Sequence, residues 1–290
     1  MDKLFKIGTL ADWFGVGLIA GIRMSQKVGA EGVQLYAKGE LDPATITPED
    51  VKAVRRTARD CGQTITALCG ELGGHGLCRA EENPDKLEYL KKTLLLAKEL
   101  DCSIVTTHLG VIPAQKGDEY KVLLDACNEI GRFAAQIGAC IAVETGPEPV
   151  ERLRDFCLAC EAGIRINYDP ANLAMVLRAD PVAGVYEAGK LIVHTHAKDG
   201  VSLRPTTGEY YYGLFAKVGI DGVRNLGYTR QTPLGQGAVR WEAYLQALVD
   251  IGYDGFLTIE RESREEAGKD IADAVAFLQA QMENLQGAAK

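Results

Sequence analysis

Four residues able to bind a cation or transfer a proton each lie at the end of a short apolar run. They are Glu144, Asp169, His196 and Glu260, and the runs read IAVE, INYD, IVHTH and FLTIE. Burying an unpaired charge costs on the order of several kcal/mol, so we expect a positive partner between these side chains. A divalent metal ion is the simplest candidate. Mixed carboxylate and imidazole ligands suit Mn, Mg, Zn or Co without sharp selection.

The two glutamates are the candidates for the acid and the base of a proton transfer. A metal held by Glu144, Asp169, His196 and Glu260 would suit proton chemistry on an oxygen-rich substrate. The alternative is that the glutamates form buried structural salt bridges with Lys198 or Arg261.

All four histidines fall at or just beyond the ends of predicted strands three, four and seven: His75, His108, His194 and His196. Such clustering at one edge favours a functional site over isolated structural histidines. Side chains two residues apart share a face of a strand, so His194 and His196 both point inward. We predict His196 as the ligand and His194 as a deeper residue.

Further polar residues on the same rim are expected to shape a substrate site, although each also suits a packing or hydrogen-bonding role: Tyr36, Glu71, His75 and His108. Two glycines of the PLGQG segment, Gly235 and Gly237, precede a predicted helix. Their N–H groups suit either a phosphate site or a hinge.

The elements that must position these residues alternate strictly between strand and helix. We predict eight strands, FKIGTL, GVQLYA, TITALCG, SIVTTHLG, CIAVETG, IRINYD, LIVHTHAK and GFLTIE. Helices are expected around residues 11–29, 47–61, 84–100, 118–137, 150–161, 181–189, 240–251 and 265–285. Near-continuous apolar strands between amphipathic helices predict a parallel sheet, and eight units predict a closed (β/α)8 TIM barrel. The alternative, an open doubly wound sheet, lacks its glycine fingerprint in the first turn. We predict one barrel domain over residues 1–290.

Residues 200–239 interrupt the alternation of strands and helices after strand seven. Connections in such units usually have about two to six residues, so we predict a long loop that acts as a lid or an interface insertion. Its tyrosines, among them Tyr210, Tyr211, Tyr212 and Tyr228, suit either sugar stacking or packing.

Composition excludes some function classes. The chain has 290 residues, 47% of them hydrophobic, and a net charge of −8. A nucleic-acid partner is therefore not expected, because polyanion binding needs clustered Lys and Arg. The apolar stretch LADWFGVGLIAG is too short to span a bilayer and contains Asp12. We expect a cytoplasmic protein with eight reduced cysteines, including the Cys157-x-x-Cys160 pair as helix-packing residues.

The segments VETGPEP, NYDPANLAM, HTHAKDG and PLGQGAVRWEAYLQALVDIGYDGFLTIERE together resemble the xylose isomerase-like TIM-barrel superfamily, in particular its sugar phosphate isomerase/epimerase branch. The resemblance extends from about Gly32 to Glu262 and is strongest from Glu144 onward. It implies one divalent metal held by Glu144, Asp169, His196 and Glu260.

In the ketose 3-epimerases of that superfamily, two metal-bound glutamates lie on opposite faces of the substrate and exchange a proton with it. The resemblance implies this role for Glu144 and Glu260. It also places Asn172 at a substrate-contacting position and gives Lys198 a contact with the substrate or with a ligand. The insertion is not a general family feature, so the substrate's identity is not carried over.

The sequence thus predicts an isomerase, a metal-dependent sugar isomerase or epimerase of carbohydrate metabolism that acts through an enediolate. The alternatives are a sugar or polyol dehydratase on the same metal site and a non-catalytic sugar-binding subunit. The expected partner is a small sugar or sugar derivative, and a homo-oligomer remains open.

Overall fold

The computed structural model describes residues 4–261 and 267–288. Its strands are β1 (Lys6–Leu10), β2 (Gly32–Tyr36), β3 (Thr64–Cys69), β4 (Ile104–Thr107), β5 (Cys140–Glu144), β6 (Ile164–Tyr168), β7 (Ile192–Ala197), β8 (Asp199–Ser202), β9 (Thr229–Thr232) and β10 (Phe256–Ile259). Its helices are α1 (Leu18–Lys27), α2 (Pro48–Asp60), α3 (Asn83–Glu99), α4 (Asp118–Gln136), α5 (Val150–Ala159), the single-turn α6 (Pro170–Asn172), α7 (Pro181–Ala188), α8 (Gly208–Asn225), α9 (Trp241–Asp250) and α10 (Ala267–Ala288).

Eight of these strands close into a parallel barrel in the order β1-β10-β7-β6-β5-β4-β3-β2. The predicted (β/α)8 TIM barrel is confirmed, and each of the eight predicted strands forms one of its staves. The helices pack outside the barrel, and apolar side chains from both layers form its core. The carboxyl ends of all eight strands therefore meet at one rim, where a barrel of this kind carries its site.

Helix starts follow from local chemistry. Thr47 caps α2, because its hydroxyl accepts the N–H of Asp50 and the Asp50 carboxylate accepts the N–H of Thr47. Asp180 caps α7 by accepting the N–H of Val182. In α3, by contrast, Asn83 is already helical, and its amide donates to the carbonyl of Leu77.

The helix predicted over residues 11–29 is divided into two. A short 3-10 turn covers Ala11–Phe14, and α1 begins only at Leu18. The break lies at Gly15 and Gly17, whose φ angles are 68° and 84°. Such angles are readily adopted by glycine and interrupt a right-handed helix.

Residues 200–239, predicted as a long loop, contain regular secondary structure. Strands β8 and β9 pair antiparallel beside the barrel, and α8 runs between them with a kink at Gly219, where φ is 67°. The five glycines within residues 208–227 obscured the helical pattern in the sequence. We call residues 200–239 the insertion.

All eight cysteines are free thiols among the described residues. Cys157 is buried in α5, and Cys160 follows the end of that helix, half-buried. Among the described helices, none combines the length and the apolar character needed to cross a membrane.

Candidate metal and proton-transfer site

The four predicted ligands converge at the carboxyl rim of the barrel. One ligand atom each from Glu144, Asp169, His196 and Glu260 lies within 4.8 Å of all the others, and all four residues are buried. We call these residues the acidic cluster. They come from or directly follow β5, β6, β7 and β10, which are consecutive in the barrel. Neighbouring strands of the barrel thus bring the four side chains close together.

His196 presents one ring nitrogen to the three carboxylates. Its Nε2 lies 3.0 Å from the Gln34 side-chain oxygen, and the Gln34 amide donates to Thr106 at 2.8 Å. The Gln34 oxygen is closer to Nε2 than the Asn167 amide nitrogen, which lies 3.4 Å away, so Nε2 is the nitrogen that keeps its proton. Nδ1 is then the nitrogen that gives up its proton when a metal ion occupies the site. Nδ1 lies 3.3 Å from Glu260, 3.6 Å from Glu144 and 3.8 Å from Asp169, and it has no hydrogen-bond partner among the described residues.

The two carboxylate oxygens of Asp169 have different surroundings. Oδ1 accepts the N–H groups of Ala171 and Asn172 and so caps α6. Oδ2 is buried and has no hydrogen-bond partner among the described residues, although the Lys198 ammonium lies 3.3 Å away. Buried polar atoms are normally paired. Asp169 Oδ2 and His196 Nδ1, neither of which has a hydrogen bond among the described residues, together fit a divalent cation bound by mixed oxygen and nitrogen ligands.

The electrostatics of the cluster favour positive charge. Burial lowers the pKa of His196, but attraction to Glu260 and Glu144 outweighs it and holds that pKa well above its ordinary value. Burial opposes ionisation of Glu260, yet the neighbouring Lys198 and His196 hold the pKa of Glu260 well below its usual range. The Lys198 ammonium lies 2.8 Å from Glu260. Three converging carboxylates therefore create a site for a cation.

Buried polar side chains lie deeper in the barrel than the cluster and form hydrogen bonds that connect to it. Asn167 donates to Glu144 at 3.2 Å, and its oxygen lies 2.9 Å from Nδ1 of His194. Nε2 of His194 contacts the Thr258 hydroxyl at 3.1 Å. His194 thus lies one layer deeper than His196. Asn167 and Gln34 were missed by the sequence analysis, although a polar residue inside an apolar strand was a usable signal.

Two residues assigned to the substrate by resemblance contact the cluster directly. The Asn172 amide donates to Glu144 at 2.9 Å, and Lys198 pairs with Glu260 and Asp169. Both are buried. They are therefore placed to orient carboxylates as well as to meet a substrate.

The predicted rim residues divide into two groups. His108 lies 3.8 Å from Glu144 through Nε2 and 2.9 Å from Glu71 through Nδ1. Burial lowers the pKa of His108, but Glu144 and Glu71 outweigh it and raise that pKa to about 9. A cavity opens above the acidic cluster at the carboxyl rim of the barrel. Tyr36 and His75 line this cavity but make no hydrogen bond to the cluster. The Tyr36 ring lies under the Lys38 ammonium, and His75 contacts Arg79.

The insertion forms part of the cavity wall. The Tyr212 ring on α8 lies 5.7 Å from the His108 ring. Its hydroxyl packs so closely over Gly146 that a methyl group there would collide with it. Arg152 of α5 pairs with Glu209 of α8 at 3.3 Å. The insertion is therefore held against the rim beside Glu144.

Asp199 anchors the returning end of the insertion. Its carboxylate accepts the N–H groups of Gly235 at 2.9 Å and Gly237 at 3.1 Å. It also accepts N–H groups from Gly200, Val239 and the Trp241 ring. The glycine N–H groups are thus occupied by this carboxylate, so their interpretation as a phosphate site is wrong.

Glu148 is a buried carboxyl that the sequence analysis did not single out. It is 2% exposed, and its side chain accepts the N–H of Ile112 at 3.1 Å. Burial raises the pKa of Glu148 to about 8, against the lowering effects of that hydrogen bond and of Arg152. As the pH rises, the unfolded chain loses this proton near the ordinary carboxyl pKa of 4.5, whereas the folded protein keeps it until the pH approaches 8.

We expect the free energy of unfolding to fall less steeply with rising pH in Glu148→Gln than in the wild type. The contribution of the Glu148 proton is fully present below about pH 4.5 and is lost as the pH rises to about 8. In this window the wild type should lose up to about 1.4 kcal/mol of unfolding free energy per pH unit through this group. Urea denaturation from about pH 5 to 8 measures it. Glu151→Gln, exposed on α5, is the control, and parallel profiles for wild type and Glu148→Gln would contradict the expectation.

Comparison with known proteins places this geometry in context. The sequence model of a family described as Xylose isomerase-like TIM barrel matches residues 22–281. No protein sequence of curated function matches the chain. A xylose isomerase domain protein from Planctomyces limnophilus has 25% identity and a TM-score of 0.80, with 99% of this chain and 100% of that chain covered.

Two further solved structures share the fold. An L-ribulose 3-epimerase has 16% identity and a TM-score of 0.76, with 98% of this chain and 97% of that chain covered. The probable 3-DHS dehydratase involved in petrobactin synthesis from Bacillus anthracis has 18% identity and a TM-score of 0.74, with 95% and 99% covered. At these identities the likeness concerns the fold.

Proposed function

The chain belongs to the xylose isomerase-like TIM barrel family, and we propose that it is a divalent-metal-dependent sugar isomerase or epimerase. In this proposal it moves a proton at the carbon next to a carbonyl group. The observation that carries the proposal is the pair of glutamates in a buried cluster whose His196 Nδ1 and Asp169 Oδ2 lack hydrogen-bond partners. A pure binding site for a sugar would not need two such carboxylates.

Glu144, Asp169, His196 and Glu260 are the residues that would hold the metal ion. When bound, a divalent ion supplies Lewis-acid stabilisation of negative charge on substrate oxygens. Gln34 keeps the His196 ring in the tautomer that a ligand needs. The chain thus offers a donor set that is already oriented.

The proton is moved by the chain's own carboxylates. Glu144 and Glu260 come from β5 and β10, which are separated by β6 and β7 along the barrel wall. They therefore approach a substrate from different sides. One removes the proton from the carbon next to the carbonyl, and the other returns a proton. Return to the opposite face of the same carbon is epimerisation, whereas return to the neighbouring carbon is isomerisation.

Neighbouring residues hold these carboxylates in place. Lys198 orients Glu260 at 2.8 Å, and Asn172 orients Glu144 at 2.9 Å. Charge-assisted hydrogen bonds of this kind keep a reactive group in one geometry. Tyr212 and the insertion cover the side of the cavity next to Glu144, and Glu144 is buried, so electrostatic interactions there are stronger than in water.

Metal-dependent labelling tests the proposal. In D₂O, metal-loaded wild-type protein is expected to place deuterium on the carbon next to the carbonyl of a ketose substrate, and chelation should stop this. His196→Ala removes one of four ligands, and we expect it to bind the metal at least roughly 100-fold more weakly. NMR of the sugar and elemental analysis of the protein provide the two measurements.

His75→Ala is the matched control for metal content, because His75 lines the same cavity outside the acidic cluster. Equal metal content in wild type, His75→Ala and His196→Ala would contradict the metal assignment. Product formed without solvent deuterium would contradict the proton transfer. Loss of a hydroxyl group from the product would identify a dehydratase instead.

A further inference from the structure

The cavity above the acidic cluster is larger than a site for one small molecule requires. Its volume is about 1420 Å³, whereas ligand pockets typically measure about 300–1,000 Å³. The cavity extends from His196 and Glu260 to Phe215 and Arg230 of the insertion. It therefore has space for a second group beyond the sugar at the cluster.

The outer wall of the cavity is aromatic and fixed. On α8 the rings of Tyr212 and Phe215 are stacked, with centroids 5.5 Å apart and planes inclined by 26°. Tyr211 packs edge-on against Phe215 at 5.4 Å, and its hydroxyl bonds to Thr229 at 2.8 Å. Rings held in this way present a rigid apolar surface, which suits the flat face of a second ring.

Polar groups beside these rings suit hydroxyl groups. Arg230 of β9 lines the cavity, and no carboxylate pairs with it among the described residues. Its guanidinium offers several hydrogen-bond donors in a fixed plane. Thr229 and Gln231 are its neighbours in β9 and line the same cavity, although each already has a partner within the protein. The Arg230 guanidinium therefore supplies hydrogen-bond donors next to an apolar face.

The charges around the cavity favour a neutral ligand there. Arg224 and Arg230 are two of six basic residues that line the cavity, together with seven acidic residues, among them Asp118, Glu119 and Glu209. Such a mixed wall does not concentrate positive potential as an anion site does.

We propose, building on the proposed function, that the substrate is a neutral sugar conjugate with two rings. The ketose unit, which carries the carbonyl in its open-chain form, lies at the acidic cluster, and a glycosyl ring lies in an outer subsite formed by Tyr212, Phe215 and Arg230. Because all three residues belong to the insertion, the insertion determines the selectivity for such conjugates. A free monosaccharide leaves the outer subsite unfilled and binds more weakly.

The experiment compares defined probes with metal-loaded protein in D₂O. The probes are D-fructose, D-fructose 6-phosphate and three disaccharides with a free ketose ring: lactulose, turanose and isomaltulose. We expect at least one disaccharide to exchange with a kcat/KM roughly tenfold above that of either fructose probe. Phe215→Ala should lower the value for that disaccharide roughly tenfold and lower the value for D-fructose much less. Lys217→Ala, exposed on the same helix, is the control and should change neither.

Saturation-transfer NMR with the same disaccharides separates this inference from the proposed function. Contact with both rings, lost for the glycosyl ring in Phe215→Ala, supports the outer subsite even where no probe acquires deuterium. Absence of deuterium from every probe that binds would instead contradict the proposed function. The outer subsite is overturned by contact with the ketose ring alone, by binding of no disaccharide, or by D-fructose exchanging as well as every disaccharide. An equal effect of Phe215→Ala on both probe classes would also overturn it.

Discussion

Replacing either glutamate of the acidic cluster with glutamine is expected to lower formation of the deuterium-labelled product sugar by roughly 10²–10⁴-fold. Glutamine keeps the shape of Glu144 or Glu260 and one oxygen that can bind a metal, but it cannot carry the transferred proton. Asn172 and Lys198 are unchanged, but the glutamine NH₂ group replaces one oxygen that accepts a hydrogen bond in the cluster. NMR or mass spectrometry of the sugar measures the labelled product. Urea denaturation of each variant accompanies the labelling, so that a chemical loss is distinguished from a loss of fold.

The two variants should fail in different directions if the glutamates act on opposite faces. With one epimer as the starting sugar, only the variant that lacks the glutamate facing its hydrogen should fail to exchange that hydrogen with solvent, whereas the other variant should exchange it without forming the second epimer. With the other epimer, the roles should reverse. Metal content measured on the same preparations excludes loss of the ion as the cause. Undiminished exchange in both variants would remove Glu144 and Glu260 from the mechanism.

Asp199→Asn is expected to lower the free energy of unfolding by about 3–5 kcal/mol. The Asp199 carboxylate is 1% exposed and accepts five N–H groups, from Gly200, Gly235, Gly237, Val239 and the Trp241 ring. Asparagine replaces one acceptor oxygen with an NH₂ group that faces these donors. At least two buried donors then lose their partner. Urea denaturation provides the measurement.

Asp254→Asn is the matched control for this prediction, because Asp254 is an exposed aspartate on the surface of the barrel. It should change stability by less than about 0.5 kcal/mol. Limited proteolysis adds a local readout, since loss of the anchor should expose residues 233–239 before the barrel itself unfolds. A change below about 1 kcal/mol for Asp199→Asn, with unchanged proteolysis, would show that other contacts hold the insertion.

Local patterns in the sequence were sufficient to predict the barrel and the composition of the acidic cluster. Apolar runs alternating with amphipathic helices determine a parallel sheet covered by helices, and eight such units determine its closure. Glu144, Asp169, His196 and Glu260 stood out because charged or ligating residues rarely end buried strands without a partner. These inferences depend on neighbours in the chain, which periodicity and residue type report directly.

Predictions failed where glycine disguised local structure. The insertion was predicted as a loop, yet it contains β8, α8 and β9, because its glycines obscured the helical period. The helix predicted over residues 11–29 is broken at Gly15 and Gly17 by positive φ angles. Propensity is a weak guide in such segments, since contacts with the barrel outweigh it.

Only the tertiary structure decided how the site is oriented and enclosed. Gln34 of β2 selects the tautomer of His196 from 162 positions away in the chain. Asp199 occupies the glycine N–H groups 36 and 38 residues later, which excludes the phosphate site that those glycines suggested. The sequence by itself determined which side chains reach the rim, because each follows its own strand. Which groups pair across that rim depends on barrel closure and on the docking of α8, and those contacts join segments that no local pattern connects.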